Sequence, residues 1–475
     1  YTYNAVGDIL TWQQQADTAP ADTWTYGYDR ADQLTTAVKT AADQTVLGRD
    51  AYTYDPAGNR TSEQVDDVVT GATYDTLNRL TAHTASGVLR VAGTVSEPAT
   101  VTVNGAPASV DAANKFVGSA KLASGTNQFT VTATDGSGNT ASQTYQVDAN
   151  GTTASYTYDA NGNLTSDGTR TFAWDGENRL VTVTSGTHES DFSYDGLGRR
   201  VEIVEKDGGT VTRDAHFIWD GTEIIEERLS TGEVNRFGQD WEQLNGAARY
   251  VTRDHLGSVR EVTDATGAVV TRNDYDPYGR LTRVAGTEDS RFGFGGYYVH
   301  GLSGLELTLY RAYDSNLGRW LNEDPSGLDG GLNLFEYVGS NPIARIDPRG
   351  LDFVAVWPAF ELGELIGGPF GGAIAATVAT VITAKATQEL WNHFYGNESS
   401  DQEKAQDESK LQHEQDKRDQ AKQDLKDLKD MKSRAKQRNT RRRFQEQIDR
   451  LESQIRGHEK EIRQLKNKIN NYCKP

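Results

Sequence analysis

Along the first two hundred residues an aromatic, a small residue and a second aromatic recur in front of an aspartate. The phrase reads Tyr26-Gly27-Tyr28-Asp29, Tyr52-Thr53-Tyr54-Asp55, Tyr156-Thr157-Tyr158-Asp159, Phe172-Ala173-Trp174-Asp175 and Phe192-Ser193-Tyr194-Asp195, with a shorter copy at Tyr74-Asp75. Rings two positions apart fall on one face of a period-2 strand, and the aspartate, followed by Gly or Asn, turns the chain. Self-similarity of this kind marks a repeat architecture. One hairpin is marginal in water, so the copies are expected to pair laterally into a long continuous sheet with the aromatic rows against a common interior. Packing of that sheet is the leading role for the rings, and sugar binding along the rows is the alternative.

The first group of repeats fills residues 1–89, and between 90 and 150 the pattern changes. Runs that alternate Val and Thr, such as Ala99-Thr100-Val101-Thr102-Val103 and Phe129-Thr130-Val131-Thr132, are joined by Asn104-Gly105 and Asp135-Gly136. Strands and turns at this spacing predict a small β-sandwich, and the segment resembles the immunoglobulin-like modules inserted in bacterial surface proteins. Asp135-Gly136-Ser137-Gly138-Asn139 reads as a turn, because it lacks a full ligand set for a cation. Repeats resume over 151–250, and a denser passage fills 251–351.

From residue 352 the pattern changes again. Residues 352–400 are Gly/Ala-rich and apolar, and Leu365 to Ala384 run for 20 residues without a charge. That length can span a bilayer. Pro369 and the glycines favour a linker and a buried helix, with membrane contact through 365–384 as the second reading. Over 401–475, Phe444, Ile448, Leu451, Ile455, Ile462, Leu465 and Ile469 alternate spacings of four and three except across His458, which predicts an α-helical coiled coil. A polar break at Gln437-Arg438-Asn439-Thr440 lets two helices fold back as an antiparallel hairpin. A coiled-coil partner on another chain is the alternative.

Composition supports strands and tight turns, with 47 glycines against 11 prolines and 21 tyrosines. Net charge is -19, but residues 401–475 carry +6, which leaves -25 on the first 400. So acidic a body is a poor partner for nucleic acid. The single cysteine, Cys473, excludes an internal disulfide framework. The chain opens inside a repeat, at Tyr1-Thr2-Tyr3-Asn4, without a signal peptide, and is expected to be a fragment or processed product. It holds no Walker loop, His-Glu-x-x-His or cysteine pair, so no cofactor and no metal are expected. His216, His255 and His300 are scattered, and Gly293-Phe294-Gly295-Gly296 lacks the surroundings of a dinucleotide site.

The dense passage contains Arg253-Asp254-His255-Leu256-Gly257, Tyr275-Asp276-Pro277-Tyr278-Gly279, Tyr310-Arg311-Ala312-Tyr313-Asp314 and Leu317-Gly318-Arg319-Trp320. It ends on a pair of related motifs, Asp324-Pro325-Ser326-Gly327 and Asp347-Pro348-Arg349-Gly350. Together with the tyrosine-aspartate repeats, these motifs resemble the YD-repeat region and RHS-associated core of bacterial polymorphic toxins and of the C component of insecticidal toxin complexes. More distantly they resemble teneurins. The resemblance runs from residue 1 to 351 apart from the insert. It implies a mainly β fold, in which a β-strip spirals into a hollow shell that encapsulates the C-terminal segment as cargo.

The resemblance also implies an intramolecular aspartyl protease, with Asp324 and Asp347 as its carboxylates, Arg311 as their support, and a cut between Leu351 and Asp352. Two carboxylates held close cannot both ionise, so one serves as acid while the other activates water. Gly327 and Gly350 permit the sharp turns that aim both side chains at one point. Tyr313-Asp314-Ser315 departs from the usual family continuation, Asp-Pro, and without the resemblance the paired motifs would read as turn chemistry alone. Further implied are a bacterial source, secretion or display at the cell surface, and an immunity protein or delivery machinery as partners. The C-terminal segment carries no enzymatic signature. The alternative function is a cell-surface protein that binds glycans or neighbouring cells without proteolysis.

Overall fold

The aspartates at 29, 55, 75, 159, 175 and 195 all build the same turn. In the computed structural model, which describes residues 1–16, 19–356, 422, 429, 456, 459 and 463, the Asp55 carboxylate accepts the main-chain N–H groups of Ala57 and Asn59, both at 2.9 Å. Asp195 does the same with Leu197 and Arg199. The third residue after the aspartate is left-handed and is Gly, Asn or Asp, as at Gly58 (φ 79°), Asn78 (φ 61°) and Asp32 (φ 57°). These are the residue types that tolerate such backbone. The apolar segment at 365–384 lies outside the described residues, and so does nearly all of the expected coiled coil.

The two aromatics of a repeat have different work. The first ring, in Tyr26, Tyr52, Phe172, Phe192 and Phe217, is buried in the core. The second sits at a β-bulge, where the register shifts at Gly27/Tyr28, Thr53/Tyr54, Ala173/Trp174 and Ser193/Tyr194. Its polar tip reaches the hairpin before. Tyr54 Oη donates to the Leu34 carbonyl at 2.7 Å, Tyr194 Oη to Leu180 at 2.8 Å, Trp174 Nε1 to Leu164 at 2.7 Å and Trp219 Nε1 to Arg200 at 2.7 Å. Leu34, Leu164, Leu180 and Arg200 are the residues opposite the preceding bulge. A bulge leaves main-chain groups unpaired, and the next aromatic satisfies one of them.

Antiparallel pairing in chain order produces one sheet of nine strands, from Thr2–Tyr3 to Ala154–Ser155, and one of fourteen, from Thr157–Tyr158 to Leu281–Gly286. In the first, Leu80–Thr84 pairs directly with Ala154–Ser155, so the insert leaves and rejoins between adjacent strands. The insert itself has six strands between Gly87 and Ala149. Ala106–Val110 pairs with Val101–Val103 at one end and with Phe116–Val117 at the other, which links the six into one ladder over a small core of Val103, Ala120 and Phe129. Among the described residues no helix is long and apolar enough to cross a membrane.

Residues 294–346 pack between the two sheets. Period-2 alternation sends neighbouring side chains opposite ways. Tyr297, Tyr313 and Trp320 join Trp24, Tyr26, Leu34 and Tyr52 of the first sheet, while Tyr298, Ala312 and Leu321 join Phe172, Phe192, Ile203 and Phe217 of the second. Aromatic contacts within this segment are close, with the Tyr313 and Tyr337 ring centroids 4.2 Å apart. This wedge carries the first Asp-Pro motif and leads directly into the second at Asp347.

Candidate active site

Arg311 closes a turn between the short strands Leu305–Leu307 and Ala312–Asp314. Thr308 Oγ1 caps it by donating to the Arg311 carbonyl at 2.9 Å and accepting the Arg311 N–H at 3.1 Å. Asp324 follows the strand Arg319–Trp320, and its N–H bonds to the Leu334 carbonyl at 3.0 Å. Asp347 follows Arg345–Ile346, and its own carbonyl accepts the Tyr297 hydroxyl at 2.8 Å. Gly327 and Gly350 are left-handed, with φ of 64° and 78°.

These turns bring three of the expected residues together. One guanidinium nitrogen of Arg311, Nη2, lies 2.7 Å from Asp324 Oδ2 and 2.8 Å from Asp347 Oδ2. Arg311 Nε donates to the Gly350 carbonyl at 2.7 Å, one peptide before the expected scissile carbonyl. The other oxygen of Asp347 accepts Gly350 N–H at 2.8 Å and Leu351 N–H at 3.0 Å, while Asp324 Oδ1 accepts Ser326 N–H at 2.8 Å and the Ser326 hydroxyl at 2.6 Å. Arg311, Asp324 and Asp347 are 6%, 7% and 2% exposed. Leu351 is half-buried and Asp352 is exposed, so water reaches the downstream side of the expected bond.

Two carboxylates against one guanidinium leave one surplus negative charge in a buried space, and taking up a proton removes it. Burial pushes the Asp347 carboxyl above its usual range, against the opposing pull of Arg311 and of the Leu351 and Gly350 N–H groups. Burial also draws the Arg311 guanidinium down, opposed by Asp324 and Asp347. A carboxyl held up in this way keeps a proton that it can give to a neighbouring group.

Several supporting residues were not assigned to the site from the sequence. The Trp320 ring centroid lies 4.2 Å from the Arg311 guanidinium carbon, and Tyr297 Oη meets Tyr337 Oη at 3.0 Å. Gly330 makes room for a carboxylate, because a Cβ there would come within 2.5 Å of Asp324 Oδ2. Asp314, at the departure from the family pattern, is fully buried and ion-paired with Arg170. The histidines stay apart: His255 Nε2 contacts the Ile343 carbonyl at 2.8 Å, and His300 Nδ1 contacts Ser303 Oγ at 2.6 Å. His216 joins Glu202 and Asp214 in a group whose potential ligand atoms lie within 4.8 Å of one another. Asp135 forms an Asx turn with Ser137 and Asn139.

Residues 142–342 match the family described as Teneurin YD-shell. Among curated proteins, the chain is 28% identical over 221 residues to Double-stranded DNA deaminase toxin A of Burkholderia cenocepacia, an alignment covering 38% of this chain and 15% of that protein. It is 31% identical over 217 residues to Toxin subunit YenC1 of Yersinia entomophaga, covering 38% and 22% respectively. With Toxin protein Tse5 of Pseudomonas aeruginosa the values are 30% over 234 residues, 39% and 18%. The chain thus spans less than a quarter of the length of each of these relatives. Of solved structures, a crystal structure of TcdB2-TccC3-Cdc42 aligns with 74% of this chain and 19% of its own at 20% identity and a TM-score of 0.37.

Proposed function

Because the chain belongs to the RHS/YD-shell proteins, we propose that it is the self-processing carrier end of a bacterial toxin, in which Asp324 and Asp347 hydrolyse the bond between Leu351 and Asp352. The observation that carries this reading is the single Arg311 nitrogen shared by both carboxylates while the same guanidinium holds the Gly350 carbonyl. Asp347, its carboxyl held up by burial, is the general acid, and Asp324 is the base. Asp324 takes a proton from water as the water oxygen bonds to the Leu351 carbonyl carbon, and Asp347 gives its proton to the carbonyl oxygen. As the tetrahedral intermediate collapses, the C–N bond breaks. Asp347 recovers a proton from a hydroxyl of the intermediate, and Asp324 passes its proton to the Asp352 nitrogen. One water is consumed, and a carboxyl at Leu351 and an amine at Asp352 are formed.

Residues 352–475 are then the cargo, enclosed by the shell until release. A helical hairpin in the cargo agrees with the 2.9 Å pair between Lys422 and Glu459, both helical and on opposite sides of the polar break at 437–440. Secretion or surface display, an immunity protein, delivery machinery and membrane contact through 365–384 belong to the same reading, with the insert as an immunoglobulin-like module on the shell. Intact mass spectrometry of the purified chain beside Asp324→Asn and Asp347→Asn tests it. A fragment ending at Leu351 is expected in the parent alone, with unchanged circular dichroism in the variants. A parent that stays whole through the acid and neutral range overturns the reading.

A further inference from the structure

The chain on the far side of Leu351 returns antiparallel along the strand that leads into Asp347. Ile346 faces Val354 and Arg345 faces Ala355 in a two-stranded ladder, and Val356 N–H extends it to the Ala344 carbonyl at 2.7 Å. The receiving strand is firmly held. Ile346 is 5% exposed in the main aromatic core, and Ala344 N–H bonds to the side chain of Asn341, which in turn donates to Asp8 of the first repeat at 2.8 Å. The returning strand adds two side-chain contacts: the Phe353 ring lies 5.3 Å from the Arg345 guanidinium carbon, and Val356 packs against the same core.

We propose that Phe353–Val356 is a recognition strand for the self-cleavage reaction, which seats the downstream side of the scissile bond by main-chain pairing with Ala344–Ile346. This rests on the proteolytic reading and adds to it the element that sets where the cut falls. Strand addition supplies binding through the backbone and leaves selection to the side chains at its ends, here Phe353 and Val356. The loop from Asp347 to Phe353 is pinned at both sides, by Arg311 on Gly350 and by the ladder at its base, so the bond between Leu351 and Asp352 has little freedom to leave the carboxylates. A second consequence is that hydrolysis leaves the ladder intact, so the new amino terminus at Asp352 stays bound after the cut.

The test follows the cleavage rate by intact mass in the full chain, in Val354→Pro and in Val356→Asp, with Val354→Thr as a control that keeps the N–H. Alternation along an antiparallel ladder makes Ile346 and Val354 the next hydrogen-bonded pair after Ala344 and Val356, so proline removes a bond that threonine preserves. Cleavage about a hundredfold slower in Val354→Pro and Val356→Asp is expected, with threonine at the parent rate, the pH profile unmoved and the circular dichroism of the folded shell retained. Parental rates in both variants overturn the recognition strand while leaving the protease standing. A parent that is never cut removes the protease, and the recognition strand with it.

Discussion

Asp324 and Asp347 each place one carboxylate oxygen against the same nitrogen of Arg311, at 2.7 and 2.8 Å. That sharing depends on a planar fork whose Nε is committed to the Gly350 carbonyl and whose Nη1 faces the Leu334 carbonyl. Lysine offers a compact point charge and cannot make the same three contacts. Arg311→Lys is therefore expected to lose about a hundredfold in cleavage rate, on the scale of removing one preorganised donor, as read by the appearance of the fragment ending at Leu351. Arg311→Ala leaves two buried carboxylates uncompensated and is expected to cost about 3–5 kcal/mol in unfolding free energy. Chemical denaturation with a stability loss under about 1 kcal/mol would contradict that burial argument.

The two motif glycines are not equivalent. At Gly350, with φ of 78°, a Cβ would lie 2.4 Å from Thr308 Oγ1 and 3.0 Å from Arg311 Cβ, so Gly350→Ala displaces the arginine as well as straining the backbone. At Gly327, φ is 64° but nothing lies within 4 Å, and alanine there brings only the left-handed strain, about 1–2 kcal/mol. Cleavage is expected to collapse in Gly350→Ala and to persist in Gly327→Ala. Equal rates in the two variants would break the link between the Gly350 turn and the site.

Much of this could be read in advance. The aspartate after each ring pair located the turns and the ring rows located the strands, while the left-handed residue three places after the aspartate emerged only with the fold. The sequence-based reading also singled out Arg311, Asp324 and Asp347, because the family pattern marks them. What stayed hidden has physical reasons. Strands of two residues, such as Arg345–Ile346 and Val354–Ala355, are too short to show a period. Trp320 and Tyr297 meet Arg311 and Asp347 only through long-range packing, which leaves no local signature. The difference between the first and second ring of a repeat was in view, since the second is Tyr or Trp at 28, 54, 74, 158, 174 and 194, but its meaning needed the carbonyl of the neighbouring hairpin.

That difference is testable at Tyr194. Tyr194→Phe keeps the ring beside Arg179 and deletes the hydroxyl that bonds Leu180, leaving a carbonyl unsatisfied. A loss of about 1 kcal/mol is expected from urea unfolding, whereas Phe192, the first ring of the same repeat, already lacks a polar tip.

Asp50 links stability to pH. Burial, with Asp276 nearby, pushes its carboxyl up to about 8. A carboxyl that holds its proton more tightly when folded contributes fully below the unfolded value, near 4, and loses that contribution as pH rises to the folded value. Stability should therefore fall between about pH 4 and pH 8, by up to about 1.4 kcal/mol per unit from this group. Asp50→Asn should flatten that slope in thermal melts. An identical slope in the variant would show that Asp50 does not set it.

The insert offers a fourth kind of test. Its first strand touches the sheet, with Val88 N–H on Ser62 Oγ at 2.8 Å and Arg90 N–H on Gln64 Oε1 at 2.7 Å, yet Leu80–Thr84 and Ala154–Ser155 pair without it. Removing residues 87–149 is expected to leave cleavage at the parent rate and to lower the melting temperature by only a few degrees. A cleavage-dead deletion that still folds would mean that the insert reaches the site.

The bulge at the same place in each repeat has a consequence for growth. Because the tyrosine-aspartate hairpins at 54, 174 and 194 each carry their own bend and their own tie to the hairpin before, the bend of the strip there is set locally, unit by unit. A wall built this way can gain or lose units without retuning the rest. Such a strip can therefore lengthen by duplication alone, while Arg311, Asp324 and Asp347 belong to a passage that is written once.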